Sequence, residues 1–149
     1  MNPAHHAAFV NLYPDVDPAH SIPLTVPERL ALTVAAAVMA YGAVLADPII
    51  TGVGLVLTVF ASNAQQQKTA RRIRLEARQR FPNEDWAEAR SQRRLKLLVP
   101  LFFAAILAVV AAAFWFLPAE HAALGAAIAA VVVGALVWFM PGLNPVWSR

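Results

Sequence analysis

Four long stretches of this chain carry no charged side chain: Leu30 to Ala46, Ile49 to Gln67, Leu97 to Ala119 and Ala122 to Ser148. A helix on a soluble protein needs a polar face toward water, and charge is costly in hydrocarbon, so runs of this kind point to helices that cross a bilayer. Within the first two stretches, up to Ala61, the only polar side chains are Thr33, Tyr41, Thr51 and Thr58, too few for a solvated stripe. Charged residues make up 14% of the 149 positions, whereas soluble domains carry about 25%.

Local signals divide these stretches into helices. Thr25-Val26-Pro27-Glu28 reads as a capping box with proline in the first turn, opening a helix that runs to Ala46. Asp47-Pro48 ends that helix and starts the next, with Asp47 placed to cap and Pro48 at the first helical position. The second helix runs from Ile49 to about Gln66 and is long enough to span only if Ser62 to Gln66 lie at the interface. The third covers Leu97 to Leu117, with Pro100 as a candidate kink. A turn at Pro118 to His121 leads into the fourth, Ala122 to Met140, which Pro141-Gly142 ends. Trp115 and Trp138 fall where aromatic belts form.

The expected fold is therefore all-α: a polytopic integral membrane protein with four transmembrane helices, arranged as two helical hairpins joined by a basic helical loop. Its parts are an irregular arm over residues 1–24, a first hairpin over 25–67, the loop over 68–96, a second hairpin over 97–140 and a short tail over 141–149. Pro3, Pro14, Pro18 and Pro23 argue against a long helix in the arm, leaving room for one short turn at Ala7 to Leu12. In the loop, Phe81-Pro82-Asn83 interrupts a helical pattern, and Asn83 is a candidate cap for a helix that continues into the third span.

Ten of the 12 Lys and Arg residues lie between Lys68 and Lys96, and neither short turn holds any. Positive residues stay on the cytoplasmic side, which places the loop and both termini there, in a bacterial-type inner membrane. Arg29 as the single basic residue before the first apolar run makes a cleaved signal peptide a poor reading. Cysteine is absent, so disulfides and thiolate metal sites are excluded.

No cofactor, metal site or catalytic motif is expected: the spans offer almost no polar groups, and the sequence holds no nucleophile elbow, phosphate loop or zinc-binding HExxH. The histidines at 5, 6 and 20 match no closed metal site. Arg71, Arg72, Arg74, Arg78, Arg90, Arg93, Arg94 and Trp86 form a candidate docking surface for anionic lipid headgroups or an acidic partner; nucleic acid is not expected. Ala122, Ala126, Ala130 and Gly134, and likewise Ala104, Ala108 and Ala112, recur every four residues, a spacing that lets helix backbones approach within the chain or against another subunit. Asp47, Glu120 and His121 are the candidate titrating groups, each beside a turn where capping is the simpler role. The leading expectation is a non-catalytic accessory or scaffold subunit of a larger membrane complex. A self-associating channel, holin-like pore or membrane-shaping protein is the alternative, followed by a small proton-linked transporter.

Overall fold

The computed structural model describes residues 3–144, with the backbone alone at 3–5 and 88–96. Among the described residues the chain is 75% helix, with no strands. Six α-helices follow in order: α1 Pro3–Leu12, α2 Val26–Val44, α3 Pro48–Gln66, α4 Thr69–Arg80, α5 Ala87–Phe116 and α6 Ala122–Trp138. Three of them contain segments long and apolar enough to cross a membrane: Pro48–Gln66, Leu97–Phe116 and, including a short 3-10 turn, Ala119–Trp138. The expected fourth, α2, is not among them, because its first turn carries Pro27, Glu28 and Arg29.

α2 is nonetheless the central helix, packing along α3 on one side and α6 on another, while α5 joins through a narrower contact. At one end Val44 packs with Ala126 and Ala129, and Val109, Val110, Ala113 and Leu117 of the α5 side close over them. Nearer the other end Ala40 meets Val133 and Val137. These are small and β-branched residues, which suit close backbone approach where packing rather than water drives association.

The turn between α2 and α3 forms as its sequence suggests. The Asp47 amide donates to the Gly42 carbonyl at 2.9 Å and the Ala46 amide to that of Ala43 at 3.2 Å, a Schellman-type closure. Ala46 takes the left-handed conformation this closure needs, φ 53°, where glycine is the usual residue. Asp47 Oδ1 then accepts from the Ile49 and Ile50 amides at 2.9 and 3.0 Å, with Pro48 opening α3.

Glycines set the α2–α3 spacing. A Cβ on Gly42 would strike the backbone of Ile50 and Thr51, and one on Gly54 would strike the backbone of Met39; one on Gly52 would meet open space.

Outside the bundle, the structure departs from the sequence reading in two places. The arm is not irregular throughout: α1 is a ten-residue helix. Proline at its first position costs nothing there, and its Phe9 is buried against Tyr13, Phe81 and Trp86, with ring centroids 5.6–6.1 Å apart. Burying a phenylalanine this fully contributes about 3 kcal/mol, which a reading of the arm alone does not reveal. The second departure is the start of α5. It begins at Ala87, after Trp86, and Asn83 is not its cap. The Trp86 indole donates to the Phe81 carbonyl at 2.9 Å and the Ala87 amide to the Pro18 carbonyl at 2.9 Å, which ties the start of α5 to the arm.

The glycine contrast gives a paired prediction. Gly54→Ala should lower thermal stability in detergent by about 1–3 kcal/mol, the usual range for overpacking, while Gly52→Ala should be neutral or slightly stabilising by raising helix propensity. Thermal unfolding of both variants followed by circular dichroism checks this.

Candidate functional site

Lys68 and Arg71 meet the first turn of α2, where Glu28 and Arg29 are adjacent and face different neighbours. Glu28 reaches back to accept from the Thr25 amide at 2.7 Å, as a capping glutamate does. The same carboxylate receives both ends of the Arg71 fork, at 3.1 and 2.8 Å, and the Lys68 ammonium at 2.9 Å. Arg71 also donates to the carbonyls of Gln65 and Pro23. One guanidinium thus links the arm, α2, the end of α3 and α4. Burial favours the neutral acid, but Arg71, Lys68 and the Thr25 amide outweigh it and hold the Glu28 carboxyl at about 2 against an ordinary 4.5.

Arg29 turns toward α6. Its guanidinium lies 4.1 Å from the centroid of the Trp138 ring and donates to the Trp138 carbonyl at 3.0 Å. A desolvated cation on an indole face is worth on the order of 2 kcal/mol. Arg29 is only 8% exposed, and among the described residues its Nε has no partner. One turn further along α2, the Thr33 Oγ1 is also buried and has no partner among the described residues. From this point an open groove of about 410 Å³ runs between α2 and α6, lined by Thr33, Val34, Ala37, Val131, Ala135 and Trp138 among others.

The basic loop divides into arginines that face inward and arginines that do not. Arg71 is committed to Glu28. Arg74 is buried, donates to the carbonyls of Asp17 and Pro18 at 2.6 and 3.2 Å, and stacks on Trp86 at 5.1 Å. Trp86 itself is 2% exposed, in the core with Phe9. These three side chains tie the loop to the arm and to α2. Arg72 is exposed and Arg78 half-buried; the side chains of Arg90, Arg93 and Arg94 lie outside the described residues. Two further contacts bind arm to loop: His6 Nδ1 with Glu84 at 3.2 Å, and the Tyr13 hydroxyl donating to Glu76 at 3.2 Å.

The small-residue stripes also separate. On α6, Ala126 and Gly134 are buried and Ala122 and Ala130 half-buried, all on or near the side that meets α2 and α5. On α5, Ala104, Ala108 and Ala112 are exposed; the residues that pack inward are Ile106, Val109, Val110 and Ala113. Among the turn residues, Asp47 caps α3, whereas Glu120 and His121 are exposed and 3.6 Å apart. Four polar side chains of α3 are turned onto their own helix: Thr51, Thr58, Ser62 and Asn63 each donate to the carbonyl four residues back.

Sequence reasoning passed over Arg29, Gly42 and Gly54. The available signal for Arg29 was a lone cation heading an apolar run, with a tryptophan at the matching end of the last one. No protein family, curated protein or solved structure matches the chain.

The Glu28 junction has a pH signature. Because its folded pKa lies below the unfolded one, its stabilisation is complete above about pH 5 and is lost as pH falls from 4.5 toward about 2. The melting temperature in nonionic detergent should drop over that window. Glu28→Gln should melt lower than the native chain at neutral pH and show a flatter acid limb.

Proposed function

We propose that the chain is a non-catalytic multi-pass membrane protein, an accessory or scaffold subunit of a larger inner-membrane complex. In this reading α2 also crosses the bilayer, with Glu28 and Arg29 at the headgroup level, so that four helices cross as two hairpins. The positive-inside rule puts the cap formed by the arm, α4 and the Phe81–Trp86 turn in the cytoplasm.

The observation that carries the subunit reading is the state of α5. No residue of its apolar segment Leu97–Phe116 is fully buried within the chain, and its stripe Ala104, Ala108 and Ala112 is exposed. Small residues every fourth position are the pattern by which helices associate in lipid, and α6 does not use this one. The folded cap supports the same role, since it presents a fixed surface rather than a loose linker. The own-helix hydrogen bonds of Thr51, Thr58, Ser62 and Asn63 weigh against a water-filled lumen built from α3.

Gentle detergent extraction from the native host, followed by affinity purification, tests the proposal. A stoichiometric membrane partner is expected, lost in Ala108→Trp while the variant keeps its own fold. A homogeneous homo-oligomer would favour a pore or membrane-shaping role, and a lone monomer would overturn both.

A further inference from the structure

We propose that the arm is a releasable strap: α1 folds only while Phe9 is seated between Phe81 and Trp86, and its release frees the start of α5 while the cap stays joined to the bundle at Glu28. Neither a bilayer nor a partner is needed for this motion.

The first support is how little holds α1. It has ten residues, short of the length at which a helix persists in water without tertiary contacts. Those contacts centre on one ring. Of residues 6–12 only Phe9 is buried, and the apolar Val10 and Leu12 on the same helix are 49% and 58% exposed. Phe9 lies in a cluster with Tyr13, Ala77 and Trp86, which among the described residues shares no side chain with the two clusters of the bundle. A unit with its own small core and few buried apolar contacts opens separately from the larger core beside it, and more readily.

The second support is where the strap ends. The first amides of a helix have no partner within it, and Trp86 at the cap position of α5 makes no side-chain capping bond. The Pro18 carbonyl takes that place, accepting from the Ala87 amide at 2.9 Å and from Arg74 at 3.2 Å. The next fixed point is the Pro23 carbonyl, held by Arg71, and residues 19–22 between the two are exposed. They are the hinge. Lifting the strap breaks the Phe9 ring contacts, the His6–Glu84 and Tyr13–Glu76 bonds and the Ala87 bond together. It leaves Glu28 with Arg71 and Lys68.

Hydrogen exchange read by mass spectrometry on the full chain in neutral detergent tests this. Peptides covering α1 and the 84–87 turn should share one opening constant, at least about tenfold larger than that of peptides covering α2 and α3. Phe9→Ala should raise that shared constant at least about tenfold further and leave α2, α3 and α6 unchanged. Val10→Ala, from an exposed position on the same helix, should change it by no more than about twofold. Protection of α1 equal to that of α2 in the native chain overturns the strap with no variant required, so a Phe9 variant that fails to fold does not shelter it. Opening of α1 without the 84–87 turn overturns the link to α5. Acceleration by Phe9→Ala that spreads through α2 and α6 means one cooperative unit in place of two and overturns the strap as well.

Discussion

The first turn of α2 is where the separate parts of this chain are joined, and it does so with two neighbouring side chains of opposite charge. Consecutive residues on a helix project about 100° apart, so Glu28 and Arg29 serve different partners from one place. Glu28 collects Arg71 and Lys68, and through Arg71 the Pro23 and Gln65 carbonyls. Arg29 crosses to the far end of α6. Loss of either contact would leave a charged group partly buried beside neighbours that cannot replace its partner, which is the costly way to break such a pair. The cap and the bundle are consequently one structure, although nearly all of the polar chemistry is in the former and nearly all of the apolar surface in the latter.

Packing enforces the same centre. α2 is narrow where it needs to be: Gly42 admits the first turn of α3, Gly54 of α3 admits Met39, and Ala37 lies against Gly134 of α6. The close approaches at Gly42 and Gly54 leave α2 little freedom to slide along α3, while on the α6 side a Cβ on Gly134 would make only ordinary contact. α5 has the opposite character, attached along one strip and otherwise open. The arrangement gives a tight core of α2, α3 and α6 and a fourth helix whose remaining faces are available to lipid or to another protein.

What was legible in the sequence was mostly local. Asp47-Pro48 can be read because a cap is made by atoms two and three residues away, and the charge-free runs can be read because hydrocarbon imposes its requirement on every residue separately. Long-range pairings were not legible. Arg71, Arg72 and Arg74 look alike in the sequence, yet Arg74 is buried, Arg71 half-buried and Arg72 exposed, a difference fixed by where Glu28, Asp17 and Trp86 come to lie. The α1 helix was missed for the same reason, since Phe9 gains its environment from Phe81 and Trp86 more than seventy residues on. The alanine stripes showed which residues allow close approach but not which helix would use them. A four-residue repeat drifts around the helix axis, and on α5 it falls on the side away from α6.

The position of α2 against α6 is the claim on which the rest depends, and a disulfide tests it most directly. The chain has no cysteine of its own. A Cβ built on Gly134 would lie 3.8 Å from that of Ala37, close to the mean spacing of bridged cysteines, about 3.8 Å. In native membranes, mild oxidation of the Ala37→Cys, Gly134→Cys double variant should produce a bridge within one chain, seen as a faster-migrating monomer on a non-reducing gel. Bridging only between chains, or none under conditions that oxidise an exposed control pair, would contradict the account.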